Sequence, residues 1–212
     1  MPTPASPTTA PPGSGAALPE DHPRRRLILD AAERLLAAHG YDGIRLRDIA
    51  KEAGISIGLI QHYFETRDDV VHEMLVTACE RRARDWQQLA LRKQDPSAKV
   101  RALLEGAVTN HEHCTVWLES CAAASRHKEV QPVVASTNNT WRDALMAAIT
   151  EGVAAGDFEP AAPVEQIVDI FVALIDGLIL AVATRDPKIT PDYTATLLLA
   201  TARAQLRSDL GG

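Results

Sequence analysis

The chain has 212 residues and a formal net charge of −6, and 46% of its residues are hydrophobic whereas only 4% are aromatic. This length suits one large domain or a small module joined to a larger one, and the composition favours an aliphatic core between helices over a β-sandwich. Three cysteines without C-x-x-C spacing argue against a disulfide framework, and no apolar run approaches the roughly 18 residues that span a bilayer, so we expect a cytoplasmic protein without a membrane partner.

The first 22 residues hold six prolines among small residues and have almost nothing to bury, so we predict a disordered tail over 1–22. From Arg24 apolar residues recur at helical spacing until Gly40 supplies a stop signal. Helical periodicity continues along the rest of the chain without an alternating strand pattern, and the predicted fold class is therefore all-α. The eight further predicted helices span 46–53, 57–63, 67–93, 96–110, 115–125, 129–155, 163–184 and 191–207.

The stretch DIAKEAGISIGLIQHYF, residues 48–64, has the features of a helix-turn-helix. Gly54 tolerates the positive φ of the turn, Ala50 is small where the second helix crosses the first, and Ser56 can cap the second helix. Each feature is common alone, but the combination predicts an N-terminal three-helix DNA-binding domain over 23–68. The positions that should point inward are occupied by Ile49, Ala53, Ile55, Ile60 and Tyr63.

The second helix of such a pair enters the major groove, leading with its N-terminal half. Gln61 suits the edge of adenine, and His62 can donate to a phosphate or a base. Ile57 and Leu59 suit the methyl group of thymine. Any one of these side chains could also be ordinary protein surface. The candidate DNA contacts of this helix are Ser56, Ile57, Leu59, Gln61, His62 and Tyr63, although Tyr63 also belongs to the inward set.

Charge around this segment is balanced, since residues 22–70 hold eight basic and eight acidic side chains and the acidity lies mostly in the rest of the chain. Local placement therefore matters more than the sum. Arg45 and Arg47 flank the start of the second predicted helix, and Arg67 begins the fourth, where backbone N–H groups also favour phosphate. We expect all three arginines to bind phosphates, and surface ion pairs are the alternative.

The stretch GYDGIRLRDIAKEAGISIGLIQHYFETRDDVV resembles the DNA-binding region of the TetR family of bacterial transcriptional regulators, over about residues 24–71. The I-A-x-x-A-G-I-S core, the H-Y-F ending and the basic residue three beyond Phe64 carry the resemblance. Two positions depart from the family pattern: Arg45 stands where Thr or Ser is usual, and Gln61 replaces a frequent Tyr. Further along, VWLESCAAASR, EGVAAGDFEP and ALIDGLILAVATRDPKITPDY are similar to the C-terminal domain of the choline-responsive BetI branch.

The resemblance implies a ligand-responsive regulator, most simply a repressor that a small-molecule effector releases from a near-palindromic DNA operator. It implies a homodimer whose last two long helices form a four-helix bundle with those of the partner. Independently, the predicted helix over 163–184 has apolar residues on more than one stripe, which also indicates a partner surface. The effector-binding and dimerisation domain is predicted over 69–212, and the effector itself is not identified by the sequence.

Candidate effector contacts are the polar or aromatic members of otherwise aliphatic helices. Trp117, Glu119 and Trp141 could form a cage for a cation, although tryptophans at helical spacing also serve as core residues. The full candidate set is Trp86, Trp117, Glu119, Cys121, Asn138, Trp141 and Asp176.

Other chemistries find less support in the sequence. The stretch HEHC, residues 111–114, lacks the H-E-x-x-H and paired E-x-x-H spacings, so we predict no metal site and prefer a polar link between the fifth and sixth predicted helices. No phosphate-binding glycine loop or nucleophile elbow appears, so no catalytic residue and no cofactor are predicted. An all-helical enzyme and a helical interaction module without DNA binding are the alternative functions.

Overall fold

A computed structural model describes residues 23–210, so the predicted N-terminal tail lies outside the described residues. This part of the chain contains helices and turns but no strand, which confirms the all-α fold class. A short 3₁₀ turn over Tyr41–Gly43, absent from the sequence prediction, follows the first helix. The helices are α1 Pro23–His39, α2 Leu46–Ala53, α3 Ile57–Tyr63, α4 Arg67–Leu91, α5 Pro96–Glu105, α6 His111–Ala124, α7 Gln131–Ala155, α8 Val164–Ala183 and α9 Pro191–Leu206.

Most helix ends lie within two residues of their predicted positions because local capping groups set them. Thr66 and Asp69 form a reciprocal capping box at the start of α4. The junction between α5 and α6 differs: α5 ends at Glu105, and α6 begins at His111 rather than at 115. The side chain of Asn110 accepts a hydrogen bond from His113 N at 2.9 Å, and this cap starts α6 one turn early.

Buried side chains form two hydrophobic clusters. The first cluster joins α1, α2, α3 and the first half of α4, and it includes Ile28, Ile49 and Ile60. The second cluster joins the later part of α4 to α5 through α9. Helix α4 contributes to both clusters, and α6 adds Val116 and Ala123 to the first cluster and Trp117 to the second. These two helices therefore connect the two clusters. The predicted domain boundary after residue 68 stays a prediction.

Helix α8 combines a buried face with an exposed apolar face. It packs on α6, α7 and α9, yet Ile170 and Leu180 are 42% and 48% exposed. The length of α8 and its mean hydropathy of 2.2 would also suffice to cross a membrane. Acidic residues divide the apolar runs in this helix, and only uninterrupted runs entered the sequence prediction. Such a helix is equally typical of a protein core, and 44% of its most apolar window is buried here.

Candidate nucleic-acid interface and ligand cavity

The corner between α2 and α3 has the geometry of a helix-turn-helix. Gly54 adopts the left-handed conformation, with φ 66° and ψ 32°, and Ile55 N donates to Ala50 O at 3.0 Å. Ile49 and Ile60 on either side of the turn are fully buried, and the other predicted inward residues, Ala53, Ile55 and Tyr63, are half-buried. The buried isoleucines fix the angle between the two helices, since both belong to the first cluster.

Helix α3 presents a row of exposed side chains beyond this corner. Ser56 caps the helix by accepting a hydrogen bond from Leu59 N at 3.2 Å, as its sequence position predicts. Ile57 is 42% exposed although it is a large apolar residue, and Gln61 and His62 are exposed on the following turn. Leu59 is half-buried. The outer face of α3 therefore combines an apolar tip with amide and imidazole groups, which suits contact with base edges.

Tyr63 lies at the end of α3, half-buried, with its ring centroid 5.2 Å from that of His62 in an edge-to-face arrangement. The contact restrains the His62 ring on the exposed side of the helix. Tyr63 therefore contacts the outer face of α3 through the His62 ring.

Two of the three predicted phosphate-binding arginines project into solvent. Arg45 occupies the N-cap position of α2, where its side chain makes no capping hydrogen bond, and it is exposed. Arg47 is also exposed and is 3.7 Å from Asp48, a distance that is long for an ion pair. Both guanidinium groups lie beside the helix-turn-helix and are available to an anion.

Arg67 differs from the prediction. Its Nε donates to Ile44 O at 3.2 Å, its Nη2 donates to Tyr41 O, and its guanidinium lies 4.7 Å from the centre of the Tyr41 ring. Its remaining nitrogen pairs with Asp68 at 2.6 Å. The side chain thus holds the 3₁₀ turn and the segment before α2, and its contact with a phosphate stays a prediction. Sequence spacing gave no sign of these backbone acceptors, which lie more than twenty residues upstream.

The three tryptophans of the predicted ligand set converge within the second cluster. The ring centroid of Trp141 is 5.9 Å from that of Trp86 and 5.0 Å from that of Trp117. Trp86 Nε1 donates to Leu103 O at 2.8 Å, and Trp117 Nε1 donates to Asp176 at 3.1 Å. Because the centroids of neighbouring rings in this group are only 5.0 and 5.9 Å apart, little space is left between them, and a cation cage there stays a prediction.

Glu119 does not belong with the tryptophans, contrary to the sequence prediction. Its carboxylate accepts a hydrogen bond from Tyr41 N at 3.0 Å and lies beside Gly40, so it ties α6 to the end of α1. The physical reason is helical phase, since two residues along α6 turn the side chain of Glu119 away from that of Trp117. Glu119 therefore links α6 to the end of α1 and does not lie with Trp117.

The remaining polar candidates are Asp176, Cys121 and Asn138. Burial raises the pKa of the Asp176 carboxyl, and its hydrogen bond to Trp117 opposes that effect. Burial, with the nearby Asp176 charge, raises the pKa of the Cys121 thiol to about 12, so this thiol stays protonated. Asn138, in α7, has a buried Oδ1 with no hydrogen-bond partner.

A cavity of 310 Å³ opens beside the tryptophans, between α4, the segment that joins α5 to α6, α6 and α7. Its walls include the rings of Trp86 and Trp141 and the side chain of Leu89. Two polar residues that the sequence prediction missed, Arg82 and His113, also line it. A signal existed for Arg82: it shares the apolar face of α4 with Trp86 and Leu89, which is an unusual position for a charge.

The HEHC stretch distributes its side chains to separate places. His111 Nδ1 contacts Thr115 Oγ1 at 2.8 Å, and His111 Nε2 lies 2.6 Å from Arg185 Nε in the segment after α8. His113 faces the cavity, and burial, followed by the nearby Arg82 charge, lowers its pKa. Among the described residues no three His, Cys, Asp or Glu side chains are grouped so that they could hold a metal ion.

Two family models match the chain. The model described as bacterial regulatory proteins of the tetR family matches residues 28–74, which include the helix-turn-helix. The model described as the C-terminal part of a BetI-type transcriptional repressor matches residues 92–207, which include most of the second cluster.

Individual relatives agree with these models. The HTH-type transcriptional regulator BetI of Agrobacterium fabrum is 26% identical over 182 residues, which cover 80% of this chain and 85% of the relative. The HTH-type transcriptional regulator PksA of Bacillus subtilis is 37% identical over 114 residues, which cover 51% of this chain and 55% of the relative. A transcriptional regulator from Saccharomonospora viridis, solved in complex with choline, has a TM-score of 0.78 at 26% identity and covers 84% of this chain and 95% of its own.

Proposed function

The chain belongs to the TetR family of bacterial transcriptional regulators, and from that premise we propose that it is a repressor which a small molecule releases from a near-palindromic operator. As a family member it is a DNA-binding regulator of transcription, and it acts, in this proposal, in the cytoplasm. The observation that carries the proposal is helix α3, which follows the left-handed turn at Gly54 and presents exposed side chains on its outer face.

In the proposed complex α3 lies in the major groove with its N-terminal half leading. Gln61 forms hydrogen bonds with the edge of an adenine, and Ile57 packs against a thymine methyl group. His62 donates to a phosphate or a base. Arg45 and Arg47 bind phosphates beside the groove, where their charge fixes the orientation of the protein on the duplex without reading sequence.

Ser56, Leu59 and Tyr63 have supporting roles in this proposal. Ser56 caps α3, and the half-buried Leu59 and Tyr63 hold the helix against the first cluster while they contribute to its groove-facing edge. Arg67 acts indirectly, because its hydrogen bonds to the backbone before α2 fix the position of the segment that carries Arg45 and Arg47. We accordingly assign DNA binding to residues 23–68 and effector binding with dimerisation to residues 69–212.

Proteins of this family function as dimers, and we propose that α8 and α9 form the dimer interface. Ile170 and Leu180 are exposed on α8, and Tyr193 is 45% exposed at the start of α9. A Cβ built at Gly177 would meet nothing within 4 Å, so the backbone of α8 is open to close approach there. A two-fold dimer would place two copies of α3 about 34–36 Å apart, one helical turn of DNA.

The proposed effector site is the cavity between α4, the segment that joins α5 to α6, α6 and α7. Helix α6 connects this cavity to the DNA-binding domain. His113 of α6 faces the cavity, and Glu119, farther along α6, bonds Tyr41 N. Beyond the end of α6, the His127 ring lies 4.6 Å from the Tyr41 ring. A shift of α6 on ligand binding would move the 3₁₀ turn, and a coupling of only ~1–3 kcal/mol would change operator affinity by roughly 5- to 150-fold.

The test is a gel-shift titration with the intergenic DNA upstream of the protein's own gene, compared with random DNA of equal length. We expect preferential binding of the upstream fragment that weakens as salt rises, because phosphate contacts release counterions. The double variant Gln61→Ala with His62→Ala should lose the preference while its non-specific binding persists. Gln88→Ala, at an exposed position of α4, is the matched control and should bind as the unaltered chain does.

Equal affinity for the upstream and random fragments would contradict the proposal and favour a helical interaction module without DNA binding. Retention of the preference in the double variant would remove α3 as the reading element.

A further inference from the structure

The cavity between α4, the segment that joins α5 to α6, α6 and α7 has an arginine in its wall that makes no ion pair among the described residues. Arg82 lines it, and Arg82 Nη1 is buried and has no hydrogen-bond partner. The charge of Glu33 favours the Arg82 guanidinium, but the hydrogen bonds of that carboxylate go to the neighbouring Arg81, at 2.7 Å. Burial lowers the pKa of the Arg82 guanidinium, although an arginine remains charged in proteins. A guanidinium nitrogen buried without a hydrogen-bond partner is costly to a fold, and an acceptor atom on a ligand in the cavity would remove that cost.

The acids nearest the cavity do not supply the missing partner. Asp85 also lines the cavity but is exposed to solvent, and it makes no ion pair with Arg82 in the described part of the chain. Asp176 accepts the hydrogen bond of Trp117 and does not line the cavity. Of the two charged residues in the wall, Asp85 is exposed and Arg82 is the more buried, so a ligand group beside Arg82 is favoured when it is an anion.

The rest of the cavity wall is suited to an apolar group. Trp86 and Trp141 present ring surface, and Leu89 adds an aliphatic side chain. Trp141 also has a buried Nε1 without a hydrogen-bond partner. Ligand pockets commonly combine such apolar walls with a few polar groups that orient the ligand.

We propose that the effector is a carboxylate with an apolar body, whose carboxylate pairs with Arg82 and whose body packs against Trp86, Leu89 and Trp141. A planar carboxylate matches the fork of a guanidinium, which can donate two parallel hydrogen bonds to it. The inference rests on the proposed function, in which this cavity is the effector site. It separates this chain from the Saccharomonospora viridis regulator that binds choline, because a quaternary ammonium would meet Arg82 here.

The test measures quenching of intrinsic tryptophan fluorescence on titration of the full chain with two matched pairs, octanoate with octanamide and hydrocinnamate with hydrocinnamamide, and with choline. We expect at least one carboxylate to bind roughly tenfold or more tightly than its amide, because only the carboxylate forms a charge-assisted bond with Arg82. Arg82→Met should abolish that preference. Arg84→Gln, which removes an exposed arginine from the same helix, is the matched control and should retain it.

The melting temperature without ligand gives a second readout on the same variant. Arg82→Met removes an uncompensated buried charge and should melt no lower than the unaltered chain. A lower melting temperature would assign Arg82 a structural role and overturn the inference. So would amides or choline that bind as tightly as the carboxylates, a preference that survives Arg82→Met, or the absence of carboxylate binding throughout the millimolar range.

A gel shift with the same preparation separates this inference from the proposed function. Carboxylate binding that leaves the affinity for upstream DNA unchanged would refute the cavity as the effector site while the anion site stands. Normal DNA binding without any carboxylate preference would refute the anion site while the regulator stands.

Discussion

Gly54→Ala isolates the backbone strain of the helix-turn-helix corner from any steric effect. Gly54 has φ 66°, and a Cβ built there would meet nothing within 4 Å, so alanine adds no clash. The left-handed conformation costs a non-glycine residue roughly 1–2 kcal/mol. Alanine also lowers the conformational entropy of the unfolded chain, which stabilises the folded state by about 0.4–1 kcal/mol. The expected net loss is therefore about 1 kcal/mol of the free energy of unfolding.

Urea denaturation followed by circular dichroism measures this loss, with the same protein concentration in every sample because the stability of a dimer depends on concentration. Gly58→Ala is the matched control. Gly58 lies inside α3, where a Cβ would meet only Ser56 Oγ at 4.0 Å, and alanine exceeds glycine in a helix interior by about 0.8–1.0 kcal/mol. The two glycine variants should therefore shift the denaturation midpoint in opposite directions.

An unchanged midpoint in Gly54→Ala would refute the reasoning, since it would mean that the corner does not hold residue 54 in the left-handed region. Equal losses in both variants would refute it as well, because they would point to side-chain volume as the cause.

Two further predictions concern α8. Burial places the folded pKa of Asp176 above its unfolded value, so protonation stabilises the fold and stability falls as pH rises through that interval. Asp176→Asn keeps an acceptor for Trp117 and should raise the melting temperature more at neutral than at acidic pH; a pH-independent effect would contradict this sign. Leu180→Glu places a charge on the proposed dimer interface and should yield monomers by light scattering after gel filtration, whereas Leu91→Glu, at a 70% exposed position of α4, should stay dimeric. A dimeric Leu180→Glu would place the interface elsewhere.

The sequence predicted best the features that nearby residues determine. The bounds of α2 and α3 match their predictions because Gly54 and Ser56 end one helix and cap the next within a few residues. The start of α6 was predicted four residues too late although Asn110 is also a local cap. The prediction did not recognise the Asn110 side chain as the cap and left the following histidines outside the helix. Local signals therefore suffice for helix ends where each capping residue is recognised.

Features that depend on distant residues were predicted less well. Arg67 binds backbone oxygens of Tyr41 and Ile44, which no spacing along the chain connects to it. Glu119 and Trp117 are two residues apart but face opposite cores, because a helix turns about 200° over that interval. The cavity with Arg82 forms only when α4, α5, α6 and α7 pack together, so its charge was invisible until their arrangement was known.

The central claim is that two copies of α3 in one dimer read the two halves of an operator. Hydroxyl-radical footprinting of the upstream intergenic DNA tests it most directly. We predict two protected segments on one face of the duplex, about 10 base pairs apart from centre to centre, and their loss when Gln61 and His62 are both replaced by alanine. A single protected segment, uniform protection along the fragment, or two segments that persist in the double variant would contradict the account.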